Sequence, residues 1–233
     1  MAKETDITVE EARELVSDRL LWPRVRDFLW NFASQVHASW TEDLFSSIGA
    51  DAQNGMASPR VKRYVLETLG VEPCFHTFPK DDGSRLLLLD GAALESIAKW
   101  LGALACATKL RGVTSGADVR ALKAALPGIY PDVFAYMAYF ERFKIAEFKI
   151  EDLGFDFGNG FGEKVGVLGG RILYFILDSL PSSLFARLKL KLPKKYSPDS
   201  QPEVNLQSSI FNLQLLTRLL KLKFPEAYSL CCS

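Results

Sequence analysis

The run GAALESIAKWLGALACATKLR, residues 91–111, decides the fold. It reads as one long apolar helix, rich in small residues around Gly102, Ala103, Ala105 and Ala107, and small residues let a neighbouring helix approach closely. It does not read as a membrane span. Asp90, Glu95 and Lys99 break the apolar stretch 86–110, and Arg171 and Asp178 break 165–180. Neither stretch offers about 18 uninterrupted apolar residues.

Helix signals continue on both sides. Upstream, Thr8-Val9-Glu10-Glu11 is a capping box, in which the Thr8 hydroxyl and the Glu11 carboxylate satisfy reciprocal backbone N–H groups; it predicts a helix to about Leu21. Pro23 suits a first helical position, and Phe28, Leu29, Phe32 and Val36 follow at helical spacing. Ser58-Pro59 marks another start, with Val61, Tyr64, Val65 and Leu69 as its stripe and Gly70 as its C′ residue. Residues 71–85, with two prolines and Asp81-Asp82-Gly83-Ser84, read as an irregular excursion with a turn.

Downstream, Asp118 to Leu126 is a helix stopped by Pro127-Gly128, and Pro131 opens an aromatic helix carrying Phe134, Tyr136, Tyr139, Phe140 and Phe143. Seven glycines between 154 and 170 read as a flexible joint. Ile172 to Leu180 is apolar and helical, Pro181 opens a short helix, and a final helix is expected from about Leu206 to Leu222. Residues 187–192, Arg-Leu-Lys-Leu-Lys-Leu, have period two, which fits a strand or a helix end running into Pro193. The expected class is all-α: a mostly helical globular chain with at most a minor short strand or hairpin. The expected organisation is a helical core domain over 1–192, a polar, proline-containing linker over 193–203 and a C-terminal helix in 204–233 packing on the core.

A chain of 233 residues buries roughly 70% of its unfolded surface as one domain, so its core needs neither metal nor disulfide. The 28 Lys and Arg balance 28 Asp and Glu, without the basic excess usual in nucleic-acid binders. Charge is segregated, however. Residues 1–45 hold nine acids against five bases, a balance of −4, and residues 187–223 hold eight bases against two acids, a balance of +6. Opposite ends of opposite sign can pair with each other or face different partners. Cys74 and Cys106 are isolated and Cys231 and Cys232 adjacent, a spacing that fits no zinc template. With a polar, acidic N-terminus lacking a signal-peptide apolar region, reduced thiols in a cytosol are expected.

The chain offers little chemistry. His37 and His76 stand apart from each other and from any two-histidine motif, and surface or capping roles are expected for both. Gly158-Asn159-Gly160-Phe161-Gly162-Glu163-Lys164-Val165 superficially suggests a phosphate cradle. A P-loop needs Gly-Lys-Ser/Thr; here Glu163 intrudes before the lysine and Val165 replaces the hydroxyl, so a hinge or tight turn is expected. Carboxylate pairs such as Glu10-Glu11 and Asp81-Asp82 are sequence neighbours, which do not face one another on a helix. No catalytic residue, metal ligand or cofactor site is assigned.

The candidate interface is basic: Arg187, Lys189, Lys191, Lys194 and Lys195, with Arg218, Lys221 and Lys223 on the C-terminal helix. The run is either a solvated face over a leucine row or a contact for anionic lipid, nucleic acid or an acidic protein. It lacks the interleaved aromatics of a single-strand binder.

Several segments, taken in order, carry a resemblance. A small-residue helix ends in Lys109-Leu110-Arg111, and Gly116-Ala117-Asp118-Val119-Arg120-Ala121-Leu122-Lys123-Ala124-Ala125-Leu126 follows. Then come the aromatic segment Tyr130 to Tyr139, the apolar helix Gly170 to Leu180 with Pro181, the basic leucine run closing on Leu192-Pro193, and Phe224-Pro225-Glu226 with Leu230-Cys231 near the end. From about residue 95 to the C-terminus the chain resembles the SctK/YscK-type proteins, the K subunit of the type III secretion sorting platform. The first 90 residues are not diagnostic.

That resemblance implies a non-catalytic, cytoplasmic adaptor without cofactor, peripheral to the inner membrane through protein contacts. It would bridge the inner-membrane ring protein's cytoplasmic, forkhead-associated-like domain to the SctQ-type pod protein, and through it reach the stator and the ATPase. Beside it stand two other readings. One is a helical small-ligand-binding or enzyme domain, built on the aromatic helix and the glycine segment. The other is an anionic-membrane-associated protein using the basic run.

Overall fold

The computed structural model describes residues 8–48, 58–72, 74, 76–80, 83–140, 160–197 and 209–232. Among these residues every regular element is helical, as the all-α expectation requires. The helices are α1 (Val9–Ser17), α2 (Leu21–Trp30), α3 (Glu42–Ile48), α4 (Pro59–Thr68), α5 (Gly91–Arg111), α6 (Gly116–Ala125), α7 (Val133–Phe140), α8 (Phe161–Ile176), α9 (Ser182–Lys191), α10 (Ser209–Lys223) and α11 (Pro225–Cys232). Short 3-10 turns lie at Phe32–Gln35, Ala38–Trp40, Ser84–Leu88 and Lys194–Tyr196. The chain divides into two compact units, each discontinuous in sequence. The first comprises Met1–Leu94, Leu177–Lys194 and Leu219–Ser233; the second comprises Glu95–Ile176 and Lys195–Arg218. Of the segment 193–203, residues 198–203 lie outside the described residues.

In the first unit, α1 begins at the expected capping box: the Glu11 N–H donates to Thr8 Oγ1 at 3.2 Å, and the Thr8 N–H donates to Glu11 Oε2 at 2.8 Å. The helix stops at Ser17 rather than near Leu21. Asp18 Oδ1 accepts the backbone N–H groups of Leu20 and Leu21, both at 2.9 Å, and a side chain that captures local N–H groups competes with helix continuation. Pro23 consequently falls at the third position of α2, still in the first turn, where an N–H has no intrahelical partner. Helix α4 opens on Pro59 and is followed by Gly70 at φ +66°, as its start and stop signals predict. Its Val65 packs with Phe45, flanked by Val61 and Leu69. The expected single C-terminal helix is instead two. Pro225, which has no N–H to donate to a continuing ladder, opens α11.

The second unit corrects the reading of the glycines. Residues 154–159 lie outside the described residues, but Gly162, Gly166, Gly169 and Gly170 are inside α8, not in a hinge or turn. Their purpose is close approach. A Cβ on Gly169 would stand 1.6 Å from the Ala98 carbonyl oxygen of α5, and one on Gly102 would stand 2.0 Å from the Val165 oxygen of α8. The backbones of α5 and α8 therefore touch where their glycines meet. On Gly166 the same atom would come within 2.3 Å of the Tyr196 hydroxyl. The Tyr196 ring is 2% exposed, and burial pushes its pKa up to about 12. The aromatic helix is present as α7; Tyr136 meets Trp100 edge to face with centroids 6.0 Å apart. Phe143 lies outside the described residues.

Candidate functional site

The basic run 187–191 is the last part of α9, not a strand, and it does not form one solvated face. Arg187 and Lys191 are one turn apart and only 3% and 1% exposed. Leu188, Leu190 and Leu192 are also buried, so the end of α9 is enclosed nearly all round. Burying two cations without carboxylates demands other acceptors, and the first unit supplies main-chain carbonyls.

Arg187 Nη1 donates to the Phe28 oxygen at 2.9 Å and Nη2 to the Glu72 oxygen at 3.1 Å. Its guanidinium lies 4.7 Å from the Phe32 ring centroid and 5.1 Å from that of Phe28. Lys191 Nζ donates to the Leu87 carbonyl and, at 2.7 Å, to that of Leu89. Phe28 belongs to the last turn of α2, and Leu87 and Leu89 close the turn Ser84–Leu88. Helix C-termini leave carbonyls without intrahelical donors and carry partial negative charge, so both cations act as buried caps. Burial pulls the Lys191 pKa from its ordinary 10.5 down to about 7, Asp90 opposing and Arg187 adding to the fall. The neutral amine still carries two N–H bonds for the two carbonyls. Burial also lowers the pKa of Arg187, against an opposing influence from the Cys74 thiol.

The remaining candidates do not cap main-chain carbonyls in this way. Lys189 is half-buried, 5.6 Å from the Trp40 ring. Lys194 is exposed, 3.4 Å from Asp43 Oδ2 and 5.9 Å from the Trp40 ring; the Trp40 indole donates to the Leu192 oxygen at 2.9 Å. Lys221 is exposed and lies 5.9 Å from the Tyr228 ring, and Lys223 is half-buried. These belong to the first unit. Lys195, paired with Glu163 at 2.8 Å, and the exposed Arg218 belong to the second. Of these eight residues, two are thus internal caps, Lys189 and Lys194 both lie by the Trp40 ring, and Lys194, Lys195, Arg218 and Lys221 are exposed.

His37 is a cap as well: its Nδ1 accepts the Ser39 N–H at 3.1 Å, at the start of the turn Ala38–Trp40. His76 lies edge to face with Phe78, centroids 5.3 Å apart. Among the described residues no group of three or more His, Cys, Asp or Glu is placed to hold a metal ion, and no helix is long and apolar enough to cross a membrane.

Residues 25–128 match the family model for YOP proteins translocation protein K (YscK). The matched span contains α5 and α6, where the resemblance began. It also extends upstream through 25–94, beyond the segments that carry the resemblance, and it stops short of the segments after residue 128. No curated protein and no solved structure matches the chain.

Proposed function

We propose, on the match of residues 25–128 to the YscK family model, that the chain is a type III secretion protein and a non-catalytic adaptor of the sorting platform. In this reading it joins the cytoplasmic, forkhead-associated-like domain of the inner-membrane ring protein to the SctQ-type pod protein, and through the pod reaches the stator and the ATPase. It works on the cytoplasmic side of the inner membrane, held there by protein contacts. The family match is the observation that carries the reading. Of the basic candidates, Lys194, Lys195, Arg218 and Lys221 are at the surface, where an acidic partner can reach them; Arg187 and Lys191 serve the fold.

The test mixes the purified chain with each of the two partners and reads the mass of the products by light scattering. Defined complexes with both are expected, at least one of them weakened by Lys194→Glu with Lys195→Glu. A chain that stays alone in both mixtures refutes the adaptor reading.

A further inference from the structure

Of the six large apolar side chains that stand exposed among the described residues, four lie between residues 9 and 30: Val9, Val16, Leu20 and Trp30. Leu20 is 81% exposed and Trp30 60%. A concentration of this kind marks an interaction surface more often than isolated exposed residues do. Its organisation is regular. On α1, where Leu15 is the buried anchor, Val9, Arg13 and Val16 follow at i, i+4 and i+7 and share a face. On α2, Trp22, Arg26 and Trp30 follow at i, i+4 and i+8. The two indoles meet edge to face, with centroids 5.8 Å apart and planes at 79°. Each apolar pair brackets an arginine.

The charges along α1 and α2 are unequal in availability. Arg13 and Arg26 are exposed, and neither has an ion-pair partner among the described residues. Three of the acids nearby are occupied by their own segment. Glu11 closes the capping box, Asp18 holds the Leu20 and Leu21 N–H groups, and Asp27 accepts from Asn31 Nδ2 at 2.9 Å. Glu10 and Glu14 each follow a residue of the Val9–Arg13–Val16 face and so are turned about 100° away from it.

We propose that the α1–α2 face of the first unit is a docking surface for an acidic segment of a partner protein. Its apolar side chains cover Val9, Val16, Leu20 and the tryptophan pair, and its carboxylates take the forks of Arg13 and Arg26. Tryptophan and arginine dominate interface energetics because they desolvate large areas while keeping directional contacts, and a guanidinium recognises a carboxylate bidentately. The proposal rests on the adaptor reading for the choice of partners to test.

The experiment uses the full chain and four variants: Arg13→Glu, Arg26→Glu, Arg26→Lys and Trp30→Ser. All change exposed side chains, and circular dichroism melts check that the fold is kept. Calorimetry against the ring protein's cytoplasmic domain and the pod protein is expected to show one complex weakened about tenfold or more by Arg26→Glu and by Trp30→Ser. Arg13→Glu should weaken the same complex, Arg26→Lys should do so far less, and affinity should fall with added salt. Wild-type binding that all variants retain overturns the surface and leaves the adaptor reading standing; binding to neither partner overturns both. Self-association, or sedimentation with anionic phospholipid vesicles, that Trp30→Ser abolishes would assign the face to a second copy or to a membrane and overturn the acidic segment.

Discussion

Replacing Gly169 by alanine probes the seam that holds the second unit together. The new Cβ would lie 1.6 Å from the Ala98 oxygen, whereas ordinary contact begins at 3.4 Å. The difference, 3.4 minus 1.6, requires α5 and α8 to part by about 1.8 Å at that point. The obstacle is a main-chain carbonyl, which cannot rotate aside as a side chain can. Helix propensity works in the opposite direction, favouring alanine by about 1 kcal/mol. Overpacking alone costs about 1–3 kcal/mol, and parting two helices also opens buried contacts, so a net loss of about 2–4 kcal/mol is expected from a total of about 5–15. Urea unfolding followed by circular dichroism, with a slope of about 1–3 kcal/mol per molar, should show the midpoint fall by about 1 M. Gly116→Ala is the control, because its nearest neighbour is the flexible end of Arg120 at 3.8 Å; it should leave the midpoint unchanged or raise it. Gly102→Ala strains the same seam, so the double variant should cost less than the two singles together. A Gly169→Ala midpoint at or above that of the wild type, as propensity alone dictates, would refute the close-approach account.

Three further outcomes follow from the buried caps and the surface pairs. Lys191 has a folded pKa of about 7 against 10.5 unfolded, so between these values the unfolded chain binds more protons and stability rises with pH, by at most about 1.4 kcal/mol per unit. Urea midpoints from about pH 7 to 8.5 should show this rise in the wild type and lack it in Lys191→Met; the window stops short of 9 because the raised thiols of Cys106 and Cys231 then act with opposite sign. Arg187→Lys keeps the charge but reaches only one of the Phe28 and Glu72 carbonyls, so it should cost about 1–3 kcal/mol in the same assay. Lys195→Glu breaks an ion pair whose side chains are half exposed, and its stability change should stay within about 1 kcal/mol, so any larger loss would show that Lys195 supports the fold.

What was legible in the sequence had its cause within a few residues. Thr8 and Glu11, Pro59 and Gly70, and the Pro127-Gly128 stop act on backbone groups three or four positions away, and each marks a helix end near where it was expected. Asp18 is not legible as a breaker, because an aspartate near a helix end is ordinary until its side chain is seen holding two N–H groups. Glycine is ambiguous in the same way, since one residue type serves hinges and close packing alike. The signal that separates them was present: 162, 166 and 169 recur at i, i+4 and i+7, the period of a helix face.

Two members of the basic run, Arg187 and Lys191, are buried for a reason that sequence distance hides. Its i, i+4 pair, Arg187 and Lys191, finds acceptors at residues 28, 72, 87 and 89, more than ninety positions away. All four acceptors lie inside the family-matched span 25–128, while the two donors lie outside it. The first unit is therefore completed by a helix that the match does not include: α9 supplies the cations that satisfy carbonyls which α2, residue 72 and the turn Ser84–Leu88 leave open. The i, i+4 spacing of Arg187 and Lys191 puts both on one face of α9, where they reach the main chain, while Lys189 on the other side lies by the Trp40 ring. Within the basic run only the cations that do not serve the main chain, Lys194 and Lys195 among them, stay exposed, and on the first unit Arg13 and Arg26 of α1 and α2 are exposed as well.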